Sequence, residues 1–283
     1  MTALTFAGLT LQEAARRRVL WALGLLTVLL LALSAWGFSK LAAEADTGGL
    51  TSGEAKLAAS QVLNLVMFFL SLVAALGTAF LAGPTLAGEI ESGTSLALLA
   101  RPVRRPEVLL GKWLGLVAFG ASFVAVAGFA EFLVVRTTVG YWPPQPVLGL
   151  VLLAGQTTVL LTLALLLSTA ISPMASGVLA VGLFGTAWVA GVVGGVGQAL
   201  DNDGVAQVGT VSRVLLPTDG LWRGAMHAFQ DPSALVQFGG GAEAGAFPFL
   251  SQTALEPAYL GWAAVWVLMV GGLAALAFSR RDL

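Results

Sequence analysis

The sequence predicts an all-α, polytopic membrane protein with six transmembrane helices, and three observations predict it. Of 283 residues, 57% are hydrophobic and 10% charged, against about a quarter charged in an ordinary soluble domain. Six apolar runs, at about 19–38, 62–86, 110–134, 147–170, 175–199 and 258–278, each reach the roughly 20 residues that a helix needs to cross a hydrocarbon core of about 30 Å. The runs are continuous rather than alternating and rich in small residues, which favours packed helices over a transmembrane barrel. The whole chain, 1–283, reads as a single transmembrane domain.

Six crossings return the chain to its starting side. With the N-terminus inside, the inner segments carry nine basic residues (Arg16, Arg17, Arg18, Arg101, Arg104, Arg105, Lys112, Arg280, Arg281) and five acidic ones, whereas five basic residues lie outside and the other ten acidic ones lie outward or near the outer interface. The positive-inside rule therefore places both termini in the cytoplasm. The net charge of −1 hides this asymmetry, and no basic patch with interleaved aromatics points to nucleic acid.

Before the first run, Leu4, Phe6 and Leu9 suggest a short segment on the inner membrane face, with Arg16 to Arg18 at the headgroups. Thr10-Leu11-Gln12-Glu13 has the form of a capping box, so a helix is expected to start there. The first run is longer than a secretory h-region, which argues against cleavage after Ala43-Glu44-Ala45. Residues 39–61 are expected to form a polar outer loop. Gly83-Pro84 should bend or loosen the inner end of the second span, because proline removes a donor and restricts its predecessor.

A charged island follows, from Gly88 to Lys112, with Glu89, Glu91, Arg101, Arg104, Arg105 and Glu107 between two spans. Ser92 or Thr94 can cap a short helix over 95–100, Pro102 ends it, and Pro106-Glu107 opens the next. In the third span Glu131 is an acidic residue in hydrocarbon, open to pairing or snorkelling at the outer interface or to a role with substrate or protons. Gln156, Thr157 and Thr158 in the fourth span either join helices or line a path. Ser172-Pro173 leaves room only for a turn, and residues 200–257 form the longest extramembrane stretch.

Within that stretch Asp219 precedes Leu221, Trp222, Ala225, Met226 and Phe229, one apolar face of a short amphipathic helix with its acid at the N-terminal end. The helix could rest on lipid, dip between the spans or meet a partner. Trp36, Trp142, Trp222 and Trp262 lie near the expected interfaces and read as belt anchors. Gly239-Gly240-Gly241 and turns at Pro248 and Pro257 lead back to the sixth span.

Little here points to chemistry on the chain itself. There is no cysteine, and His227 is the only histidine, with no carboxylates at ligand spacing. Gly111-Lys112 is followed by Trp113, so it does not close a phosphate loop. No catalytic residue and no metal site is expected.

The order Gly88-Glu89-Ile90-Glu91-Ser92-Gly93-Thr94, Leu98-Leu99-Ala100-Arg101-Pro102-Val103-Arg104-Arg105, Leu109-Leu110-Gly111-Lys112 resembles the connector between spans two and three of bacterial type-2 (exporter-like) ABC transporter permeases. Leu215-Leu216-Pro217-Thr218-Asp219 and the closing Arg280-Arg281-Asp282-Leu283 are similar to that family too. The likeness leans to the permease group of copper-enzyme (nitrous oxide reductase) maturation.

The resemblance implies a permease subunit that moves a substrate, in the export direction, while a separate cytoplasmic ABC ATPase in two copies binds ATP and Mg. It also implies a second permease copy or a sister permease. Glu89, Glu91, Ser92, Thr94, Arg101, Arg104 and Arg105 would then form a coupling helix seated in the ATPase. Glu131, Gln156, Trp222 and Phe229 are the candidates for a path or outer gate. The alternative is a force-transmitting subunit acting on an extracytoplasmic protein, without a permeant solute.

Overall fold

Six long apolar helices do form, and most of them are longer than their hydropathy predicts. The computed structural model describes residues 2–16, 19–85, 105–231 and 247–280. In chain order these residues form α1 (Thr2–Arg16), α2 (Val19–Asp46), α3 (Ser52–Gly83), α4 (Arg105–Val139), α5 (Pro146–Ser168), α6 (Pro173–Ala199), α7 (Asp203–Leu215), α8 (Thr218–Phe229) and α9 (Pro257–Ser279). Helices α2, α3, α4, α5, α6 and α9 are long and apolar enough to cross a membrane. Leu109 at the start of α4 packs on Phe278 at the end of α9. Residues 105 and 280 therefore share one end of the bundle, the terminal end, and α7 and α8 lie toward the other, the hairpin end.

The expected loop at 39–61 is corrected to a turn at 47–51. Hydropathy measures depth in lipid, whereas Leu41-Ala42-Ala43-Glu44-Ala45 are good helix formers that carry α2 past the apolar region. Gly48, at φ +80, ends the helix in the left-handed conformation that glycine adopts without strain. Thr51 then opens α3 through a reciprocal cap. Its backbone N–H donates to Glu54 Oε2 at 2.8 Å, and its hydroxyl accepts from the Glu54 N–H at 3.3 Å.

The expected start at Thr10 is also corrected. Helix α1 runs through that position, and Thr10 is buried in its middle. The helix docks on α4 at a notch made by two glycines. A Cβ on Gly111 would meet the Ala3 carbonyl and Phe6 Cβ, each at 2.6 Å, and one on Gly115 would meet the Ala7 carbonyl at 2.6 Å. Backbone-to-backbone packing fixes α1 where a cap was expected.

Helix α3 ends at Gly83 with Pro84 as its C-cap, where the sequence places the break. The Lys112 ammonium donates to the Thr85 carbonyl at 2.7 Å, supplying a donor beyond the helix end. At the other end of α4, Gly140 at φ +72 turns the chain toward α5. Helices α3 and α5 form the centre of the bundle, while α2 and α9 turn most of their surface outward. One core cluster joins Leu63 and Met67 of α3, Phe132 of α4, Leu153 of α5, Trp222 and Phe229 of α8 and Trp266 of α9.

Candidate functional site

The segment after α6 forms two helices, of which sequence reading found one. Helix α7 begins after Asp201, at φ +49, and Asn202, whose side-chain oxygen accepts from the Val205 N–H at 3.1 Å. It returns along α6, with so little room that a Cβ on Gly194 would lie 2.6 Å from Gly209 Cα. Ser212 reaches the Ala187 carbonyl at 3.5 Å. Ala187 is twelve residues from the end of α6, or about 18 Å at 1.5 Å per residue, so the tip lies roughly halfway through a 30 Å core. Helix α8 climbs back along α5, its Leu221 lying over Gly155 and its Phe229 ring against Gly149.

A hairpin tip at that depth must find partners for the carbonyls at the end of α7, since lipid offers none. Helix α9 supplies them. Tyr259 Oη donates to the Arg213 carbonyl at 3.1 Å, Trp262 Nε1 to Val214 at 3.2 Å and Trp266 Nε1 to Leu215 at 2.8 Å. The spacing 259, 262, 266 keeps the three donors on one helix face.

Asp219 sits at the foot of α8 with its side chain 1% exposed. Its Oδ2 accepts from Arg213 Nε at 2.9 Å and from Arg223 Nε at 3.1 Å, while Arg223 Nη2 donates to the Gly191 carbonyl at 2.8 Å. A Cβ on Gly191 would overlap the Asp219 carboxylate. In the sequence Arg213 and Arg223 count only among the five outer basic residues, although Asp219 and Arg223 stand at i, i+4.

The upper end of α8 is clamped. Gln230 Nε2 donates to the Ser251 carbonyl at 2.5 Å and its Oε1 accepts from the Ser251 N–H at 3.2 Å. His227 Nδ1 lies 3.2 Å from the same carbonyl. Tyr141 Oη donates to the Phe229 carbonyl at 2.7 Å, and burial with the nearby Asp231 charge pushes its phenol upward. The Gln145 N–H donates to the Ala228 carbonyl at 3.1 Å.

The sequence-derived candidates fall into three places. Trp222 and Phe229 are buried on α8, Trp222 with its ring centroid 5.5 Å from that of Phe68 and Phe229 with its own 5.4 Å from that of Phe132. Trp222 is therefore a core residue and not a belt anchor, and Trp262 is a carbonyl donor. Gln156 is buried on α5 with its Oε1 unpartnered among the described residues. Glu131 is buried on α4, where Ser34 of α2 donates to its Oε1, leaving Oε2 without a partner among the described residues. It pairs with Ser34 and does not reach Arg136, whose guanidinium stands 5.3 Å over the Trp142 ring. Asn64, with no role in the sequence reading, donates to the Phe249 carbonyl at 3.2 Å.

Thr85 and Arg105, the described residues on either side of the connector, lie at the terminal end. Glu89, Glu91, Ser92, Thr94, Arg101 and Arg104 fall outside the described residues, and Arg105 is described only as the first residue of α4. The coupling helix expected over 95–100 lies outside them too. Among the described residues no cluster of three or more metal-ligating side chains occurs.

Residues 4–283 match the family model described as ABC-2 family transporter protein. Over 131 residues the chain is 37% identical to the probable ABC transporter permease protein NosY of Pseudomonas aeruginosa, covering 43% of this chain and 44% of that protein. Over 130 residues it is 34% identical to the probable ABC transporter permease protein NosY of Stutzerimonas stutzeri, again covering 43% and 44%. The chain thus spans less than half the length of the curated relatives it matches.

Proposed function

Since this chain belongs to the ABC-2 transporter family, we propose that it is the membrane-spanning permease subunit of an ABC transporter and exports a substrate across the bacterial inner membrane. The observation that carries the reading is the family match over residues 4–283, in a chain with six spans and a re-entrant hairpin. Two copies of a separate cytoplasmic ATPase bind ATP and Mg, and a second permease copy or a sister permease completes the path. The nine basic residues of the segments at the terminal end orient that end toward the cytoplasm.

Glu89, Glu91, Ser92, Thr94, Arg101, Arg104 and Arg105 contact the ATPase. Helix α4 carries the resulting movement, because its first turns hold both α1, through Gly111 and Gly115, and the end of α3, through Lys112. Two arrangements of such packed elements would open the path in turn to either side. Glu131 and Gln156 line the path, and the α7–α8 hairpin, with Trp222 and Phe229, forms its outer gate.

A second reading has an observation of its own. The side chains buried along α8 are mostly apolar, among them Leu221, Trp222, Met226 and Phe229. A rigid apolar plug suits a subunit that transmits force to an extracytoplasmic protein, with no permeant solute, as the copper-enzyme maturation group suggests.

Coupling is tested with Arg104→Glu plus Arg105→Glu. The expected result is salt-sensitive loss of the co-purifying ATPase with normal membrane insertion, since charged contacts of this kind act through steering and specificity. Full complex formation and full ATP turnover in the double variant would remove the coupling role.

A further inference from the structure

Beside the hairpin a polar cleft of about 400 Å³ opens, walled by Arg213, Arg223, Gln198, Gln252, Glu256 and Tyr259 among others. Two cations share a single buried carboxylate there, because Arg213 and Arg223 both bond Asp219 Oδ2. One positive charge is left over. Each guanidinium has five N–H donors in a fixed fork. Arg213 spends Nε on Asp219, and Arg223 spends Nε on Asp219 and Nη2 on Gly191. The two Nη atoms of Arg213 and Nη1 of Arg223 have no protein partner among the described residues, and both side chains keep 20–24% of their surface open. The other charged wall residue, Glu256, is exposed at the rim, as the N-cap of α9.

The cleft's depth narrows the ligand. Gln198 is the next-to-last residue of α6 and Tyr259 the third of α9, so the cleft opens at the level where two spans leave the hydrocarbon and lipid phosphates sit, and it runs down to the arginines, whose partner carbonyl at Gly191 lies eight residues, about 12 Å, from the end of α6. Paired arginine forks hold phosphate oxygens through parallel, charge-assisted bonds. In a partly desolvated cleft the leftover charge is weakly screened. We propose that this cleft is a binding site for an anionic phosphate group, with Arg213 supplying the decisive charge and Arg223 the second fork.

Two sources of phosphate are separated by two probes. Protein in phosphatidylcholine nanodiscs is titrated with phosphatidylglycerol, and bound lipid is read by native mass spectrometry. Detergent-solubilised protein is titrated with inorganic phosphate by calorimetry. Saturable binding in the first arm identifies a lipid headgroup, and binding in the second alone identifies a soluble anion. Arg213→Gln leaves the Asp219–Arg223 pair intact, so it should stay folded and lose about tenfold in affinity for whichever probe binds. Glu256→Gln removes the rim charge and should tighten the same binding, an effect that a purely structural role for the arginines would not produce. Failure of both probes to bind, or equal binding by folded Arg213→Gln and the unsubstituted protein, overturns the proposal. If Arg213→Gln does not fold, Glu256→Gln decides: tighter binding sustains the site, and unchanged binding overturns it.

Discussion

Helices α1 and α8 are both short and amphipathic, both lie at an end of the same bundle, and both approach a span through glycine, yet one stays on the surface and the other is buried on nearly every side. Helix α1 leaves Leu4, Leu9 and Leu11 exposed and covers Thr10. Helix α8 buries Thr218, Asp219, Leu221, Trp222, Met226 and Phe229 alike. Their apolar faces do not explain the contrast, because each has one. The polar residues do: α1 keeps Gln12 exposed, whereas α8 has Arg213 and Arg223 for Asp219 and the Ser251 backbone for Gln230. An amphipathic helix is admitted to the interior when its polar groups have partners waiting there.

Breaking the partnership in α8 should have the largest effect. Asp219→Ala leaves two cations facing each other without their carboxylate, and should cost about 3 kcal/mol, at the lower end for a broken buried pair because both arginines are partly exposed. Thermal unfolding in detergent measures it, and an unchanged midpoint would refute the role given to Asp219. The matching break at α1 is smaller. Gly115→Leu fills the notch, and overpacking of this kind costs about 1–3 kcal/mol. Since α1 lies on the surface, the expected outcome is faster proteolysis of the first sixteen residues with the rest of the bundle still resistant.

The smallest effect sharpens the comparison with a helix end that needs no tertiary partner. Thr51→Ala removes the reciprocal cap of α3 and should cost about 1 kcal/mol. Glu54→Gln, which keeps the side-chain acceptor, should cost less. Urea unfolding of the two variants measures the difference.

The sequence discloses the spans because about 20 apolar residues in a row have few other uses. Their ends are less legible. Residues such as Lys40 and Glu44 lower hydropathy without ending a helix, and the Thr51-x-x-Glu54 signature that marks the true start of α3 lay inside the expected loop. Helix α7 escaped notice because its contact with α6 is made by Gly194 and Gly209, whose lack of a side chain gives no hydropathy signal. Trp262 resembles an interface anchor until the carbonyl it faces is known. Of the candidate gate, Trp222 and Phe229 were visible as one apolar face. The Arg213–Asp219–Arg223 cluster was not, since it joins α7 to α8 across a turn.

The three bonds from α9 to the tip of α7 also set an order of assembly. Tyr259, Trp262 and Trp266 are translated well after the residues whose carbonyls they satisfy. Until the sixth span has left the ribosome and entered the bilayer, the tip has no donors there, and each bare carbonyl in hydrocarbon costs several kcal/mol. The nascent hairpin must therefore wait in water or at the headgroups while five spans are already in place, and it enters last, as the final helix arrives to receive it.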